Sequence, residues 1–362
     1  MNITGYGNAL RQTILHNLQV LREGGSRESF LVPHAVSEPG IGKTRMMRDV
    51  VEGLGNEGWE LFQDVGATGD SQWVYADADF QTRDSADLAG NPWVMDGRSM
   101  RLRPDWLPDA AKGFMTLLAL DELAQAPLAN LNIAGTLLRE GRIGEHVLPR
   151  GCMMAAASNP HGSRAGTNAI PGQVKSRVVH YRILPDAEEW AMYAIKRGLS
   201  PYLIAYNRRR HDKYHHQYDA AADAYPCGRS WEMFDSVMKL RLSKEDLDEA
   251  KAGCVGTAAA MDFDAFMEAS LRMPDLNQII ADPLGAPLPV GLDITFVTMQ
   301  GLASRAKQNN LGAIITYLER LTEPEYGIAC VADAVLRDKS LEVCAAYSRW
   351  TAGMGNGMAL AA

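Results

Sequence analysis

The sequence predicts an α/β fold: a three-layer core around a parallel sheet, shaped to cradle phosphate, followed by a long helical region. Three observations predict it. The stretch Ser37-Glu38-Pro39-Gly40-Ile41-Gly42-Lys43-Thr44 has the residue types of a P-loop, and the continuous apolar run from Phe114 to Leu120 ends in Asp121-Glu122. Beyond Pro185, strand signals almost vanish. Strands alternating with helices up to that point imply a parallel sheet covered on both faces.

Composition sets the outer bounds. A chain of 362 residues exceeds one average domain, so two or three structural units are expected. The 46% apolar and 22% charged fractions are those of an ordinary globular protein. No apolar run is long enough to span a bilayer, and the first residues lack a charged-then-apolar leader pattern. The expectation is a cytoplasmic protein without a membrane partner. Cys152, Cys227, Cys254, Cys330 and Cys344 are odd in number and widely spaced, which fits free thiols in a reducing compartment. The net charge of −8 weighs against a duplex-binding protein, which needs clustered cations. Arg208-Arg209-Arg210 is the one dense basic run and reads as a solvated face.

Taken in order, Asn8 to Glu23 carries Leu10, Ile14, Leu18 and Leu21 at helical spacing and is ended by Gly24-Gly25. Phe30 to Val36 is the strand that a phosphate loop must follow, with Pro33 as its usable start. Thr44 to Leu54 is a helix closed by Gly55. Another sheet strand is expected near Trp73 to Ala78, turn chemistry from Asp84 to Pro92, and a surface loop from Trp93 to Leu107. Pro127 to Glu140 reads as a helix, Arg142 to Pro149 as a short hairpin arm, Cys152 to Ala157 as a buried strand, and Val178 to Ile183 as the last sheet strand. The remainder is helical, interrupted at Tyr225 to Gly228 and by the Pro-rich stretch from Asp282 to Pro289. The domain boundaries expected are 1–185 for the core, 186–272 for a helical lid, and 273–362 for a C-terminal helical region.

The chemistry is concentrated in the core. Gly40 and Gly42 permit backbone angles that point successive N–H groups at phosphate oxygens, Lys43 reaches the β- and γ-phosphates, and Thr44 offers a hydroxyl to Mg²⁺. Ser37 stands where the motif has its first glycine, tolerable if its backbone stays extended. Arg45 is counted with the cradle. Asp121 and Glu122 at the end of an apolar strand form a Walker B pattern: Asp121 holds Mg²⁺ with Thr44, and Glu122 polarises the attacking water. Asn159, at the end of the neighbouring strand, is placed to touch the γ-phosphate or that water; the plainer alternative is an Asn-Pro turn.

The order of P-loop, Asp121-Glu122, Asn159 and Arg177 resembles an AAA+ ATPase. The Glu38 to Thr44 loop, the Asp87 to Pro92 segment, Ala157 to Pro160 and Gly228-Arg229-Ser230-Trp231-Glu232 make the chain similar to the MoxR-like branch. The resemblance implies ATP or ADP with Mg²⁺ as cofactors, Asn159 as sensor 1, Arg229 as sensor 2 opening a lid helix, and Arg177 as an arginine finger, with Arg164 as the rival. It further implies a homo-oligomeric, hexameric ring and a protein client, often of von Willebrand factor A type, contacted by the 87–107 region and the 142–149 hairpin. A nucleic-acid motor or replication factor on the same module, and an assembly switch with little turnover, are the alternatives. The acidic balance disfavours the motor, and Glu122 disfavours the switch.

Overall fold

Asn2 caps the first helix, its side chain accepting from the Gly5 N–H at 3.0 Å, so α1 (Ile3–Arg22) starts five residues ahead of the expected point. The computed structural model describes residues 1–57, 73–109, 115–160, 168–215 and 222–354. Phe114 and Arg164 lie outside them. The core continues through β1 (Pro33–Val36), α2 (Lys43–Asn56), β2 (Trp73–Asp79), α3 (Ser85–Ala89), β3 (Pro92–Met95) and β4 (Arg98–Arg101). There follow β5 (Met115–Asp121), α4 (Leu128–Glu140), β6 (Arg142–Ile143), β7 (His146–Val147), β8 (Cys152–Ser158), α5 (Gly172–Lys175) and β9 (Val179–Arg182). Gly55 does not close α2, which runs on to Asn56.

Five of these strands form one parallel sheet in the order β2-β5-β8-β1-β9. Alternation assigns the two faces. Leu117, Ala119, Met153, Ala155 and Ala157 pack with α1 and α2 residues such as Leu10, Ile14 and Val51, whereas Leu118, Leu120, Met154 and Ala156 pack with Leu131, Ala134 and Leu138 of α4. Burial on both faces is why β5 and β8 read as unbroken apolar runs. The three-layer α/β core is therefore observed. From β1 the chain leaves toward β2, and from its neighbour β8 it leaves toward β9. The connections part at the carboxyl ends of this pair, where open α/β sheets bind ligands.

The 93–107 stretch is more ordered than the surface loop expected of it. β3 and β4 pair antiparallel, Trp93 opposite Met100, around a turn in which Asp96 (φ 53°) and Gly97 (φ 72°) both take positive φ. An Asp-Gly pair is the residue signal for that turn. Asp84 caps α3 just upstream. A second hairpin, β6–β7, is present where the sequence placed one. The two hairpins are stitched together: the Arg101 N–H donates to Glu145 Oε1 at 2.6 Å, and His146 Nε2 lies 2.8 Å from the Arg101 carbonyl.

The described residues divide into two compact units, the second beginning at Asp186. It is helical: α6 (Ala187–Lys196), α7 (Pro201–Arg209), α8 (Gly228–Val237), α9 (Lys244–Val255), α10 (Thr257–Ser270), α11 (Leu276–Ala281), α12 (Leu292–Arg305), α13 (Leu311–Leu318), α14 (Pro324–Arg337) and α15 (Ala345–Met354). Helix α12 belongs to two apolar clusters, giving Val297 to an aromatic one with Tyr206, Trp231 and Phe263, and Met299 and Leu302 to another with Ile314 and Val331. The arginine run is not a solvated face. Arg208 pairs with Glu188 and Asp333, Arg209 with Asp293 at 2.8 Å, and Arg210 with Asp293 at 2.9 Å, fastening the end of α7 to α6, α12 and α14. Acids brought in from distant helices consume its charge.

Candidate active site

The loop after β1 turns on its glycines. Gly40 has φ 79° and Gly42, the N-cap of α2, φ 103°, both costly for a residue with a Cβ. Ser37 needs no such freedom: outside glycine, only Asp96 and Glu122 hold positive φ among the described residues. Ser37 is buried, and its N–H donates to the Ser158 carbonyl at 3.2 Å, tying the loop to the end of β8.

Three sequence-distant segments converge here. Lys43 Nζ donates to the carbonyls of Ser37 (2.9 Å) and Glu38 (3.3 Å) and to Asn159 Oδ1 (3.2 Å). Thr44 Oγ1 donates to Asp121 Oδ2 at 2.6 Å. The next residue, Glu122, is held in the left-handed region (φ 52°, ψ 32°), with its own N–H on Asp121 Oδ1 at 3.0 Å and its Oε2 accepting from Gln125 at 2.6 Å. A non-glycine residue with that backbone stores strain and is found disproportionately at functional sites. Ile41 packs against the α1–α2 core, and Glu38 keeps a buried carboxylate oxygen with no hydrogen-bond partner among the described residues. Arg45 lies on the exposed side of α2, bridged to Asp49 at 2.8 Å.

The two arginines implied by resemblance make none of these contacts. Arg177 is exposed where α5 runs into β9, and Arg229 is exposed in the first turn of α8 in the second unit. Neither side chain has a hydrogen-bond or ion-pair partner among the described residues, though the Arg177 N–H donates to the Val174 carbonyl at 3.0 Å.

Residues that the sequence reading passed over also belong to this region. Asp77 shares a face of β2 with Tyr75 and Asp79, and Asp79 is in register with Asp121. Partial desolvation and then the Asp121 charge raise the Asp77 carboxyl above its ordinary value, against an opposing pull from Arg48. The alternation Tyr75-Ala76-Asp77-Ala78-Asp79 was the available signal. His34 is buried on β1, where burial pushes its imidazole down to about 3, with His180 and Lys43 adding to the effect. Its Nε2 meets Ser158 Oγ, and its Nδ1 lies 3.1 Å from His180 Nδ1.

The donor set fits a small hard cation beside a polyphosphate. Thr44 and Asp121 offer a hydroxyl and a carboxylate oxygen on one spot. Mg²⁺ favours that arrangement, keeping waters and taking its remaining oxygens from phosphate.

No protein-family model matches the chain, and no curated protein matches it. Among solved structures, a candidate ATPase from Cytophaga hutchinsonii is similar at 9% identity and a TM-score of 0.31, covering 92% of this chain and 87% of that one. RuvB from Thermotoga maritima, in a point-mutant form, is similar at 14% identity and a TM-score of 0.29, covering 83% and 82%. Likeness at that level carries no weight by itself. The strand order and loop geometry of this chain are nonetheless those of a P-loop α/β core with a helical region after it.

Proposed function

We propose that the protein is a Mg²⁺-dependent ATP hydrolase of AAA+ type, MoxR-like by resemblance, acting as a homo-oligomeric ring that remodels or activates a protein partner. The observation that carries the reading is the convergence of Lys43 with Asn159 and of Thr44 with Asp121 at one loop. In this reading Lys43 and the loop N–H groups hold the β- and γ-phosphates, and Thr44 and Asp121 hold the metal. Bound there, Mg²⁺ would neutralise charge on the phosphates. Glu122 orients water, Asn159 fixes that water against the γ-phosphate, and Arg177 of one subunit completes the site of the next. Arg229 reports the phosphate state from a lid spanning 186–272, and the 273–362 region extends it. A hexameric ring, a von Willebrand factor A-type client and a cytoplasmic setting are the finer parts of the proposal. Among the described residues no helix is long and apolar enough to cross a membrane.

The nucleic-acid reading is weakened because Arg208, Arg209 and Arg210 are engaged in ion pairs. Purified protein should hydrolyse ATP, and Glu122→Gln should bind nucleotide normally while losing about 10²-fold or more in turnover. Normal turnover in that variant would sink the catalytic assignment. Stimulation many-fold by DNA or RNA, with none by any protein, would overturn the remodelling role.

A further inference from the structure

One polar line crosses the largely apolar face of the sheet under α4. His34 on β1 is in register with Ala156 on β8 and His180 on β9, and it is only 1% exposed. Val32 and Ala156 on the same face belong to the apolar cluster under α4. Across the strands, His34 Nε2 meets Ser158 Oγ while Nδ1 meets His180 Nδ1 at 3.1 Å, the two rings lying 4.9 Å apart between centroids. An aliphatic side chain could fill this position without the risk attached to a buried polar group. The imidazole is therefore best explained by what it touches.

Ser158 is the residue before Asn159. Its carbonyl accepts the Ser37 N–H, and the Asn159 amide oxygen accepts from Lys43. Ser158 thus joins the phosphate loop to the amide that faces it. A neutral imidazole donates through one nitrogen and accepts through the other, so the contact with His180 fixes which role Nε2 plays toward the Ser158 hydroxyl. His180 is the exposed end of the line.

We propose that His34, acting through Ser158, is a positioning residue for Asn159, holding that amide in register with Lys43 during ATP hydrolysis. The inference rests on the ATPase reading above. Glutamine and asparagine separate the two halves of the imidazole. A glutamine amide stands where Nε2 stands and reaches Ser158, whereas an asparagine amide stands where Nδ1 stands and reaches only His180.

The test compares kcat and KM for ATP in the full chain carrying His34→Leu, His34→Asn, His34→Gln or Ser158→Ala, each first shown to keep the far-ultraviolet circular dichroism of the parent. Loss of positioning is expected to lower kcat about tenfold or more in the Leu, Asn and Ser158→Ala variants. KM should stay within about twofold, and His34→Gln should recover most of kcat. The losses from His34→Leu and Ser158→Ala should also fail to add in the double variant, since both break one link. A packing role alone gives the opposite pattern, with Leu retaining kcat and Gln no better than Asn; that result overturns the inference. Unchanged kcat in Ser158→Ala overturns it too, and this small substitution keeps the test decisive if position 34 tolerates no replacement. Absence of turnover in the unsubstituted protein would instead defeat the ATPase reading.

Discussion

Burying a histidine in an interior strand of a sheet makes the fold sensitive to acid in a definite direction. His34 has an ordinary value of 6.5 and is held neutral down to about 3. Between those values the unfolded chain binds a proton that the folded chain refuses. Its contribution is thus fully present above about pH 6.5 and is lost as pH falls toward 3, at a limiting slope of about 1.4 kcal/mol per pH unit. Urea denaturation at pH 6 and pH 4 should show this slope, and His34→Leu should flatten it by about that amount. An equal slope in the variant would mean that other groups carry the acid sensitivity. Lys43, Thr44, Asp121 and Asn159 were legible in the sequence because loop glycines and strand ends announce them. His34, Ser158 and Asp77 were not, because a polar residue inside a strand gains its meaning from strands far away in the chain.

The strands β5 and β8 were read to within about a residue at each end, since double-sided burial leaves an apolar run with sharp limits. The β3–β4 hairpin was missed although Asp96-Gly97 marks its turn, because Trp93, Val94 and Met95 show no polar alternation and all are exposed. The arginine run shows the reverse failure: its local composition suggests solvent, and tertiary packing supplies acids. Arg208 and Asp333 are both buried, and Gln300 also donates to Asp333. Removing the acid leaves a buried guanidinium with only the exposed Glu188 as a charged partner. Asp333→Ala should therefore destabilise the helical unit by about 3–5 kcal/mol, measured by chemical denaturation. A loss below 1 kcal/mol would show that water reaches Arg208 readily.

The proposed shared site is testable only in the assembled protein. Arg177→Ala should lower turnover, and mixing it with Lys43→Ala subunits should restore part of it, because the first supplies an intact loop and the second an intact arginine. No restoration would place Arg177 outside any shared site. ATP with Mg²⁺ should also raise the stability of the unsubstituted chain by about 2.7 kcal/mol at a hundredfold excess over its dissociation constant. Thermal denaturation should show no such gain for Lys43→Ala. The seam between the two hairpins has a mechanical consequence on this scale. The β6–β7 hairpin lies on the chain between Glu122 and Asn159, the residues proposed to act on water, and through Glu145 and His146 it grips the strand opposite Trp93. A molecule that tugs on Trp93 or Met100 therefore pulls, through that grip, on the segment that joins α4 to the start of β8.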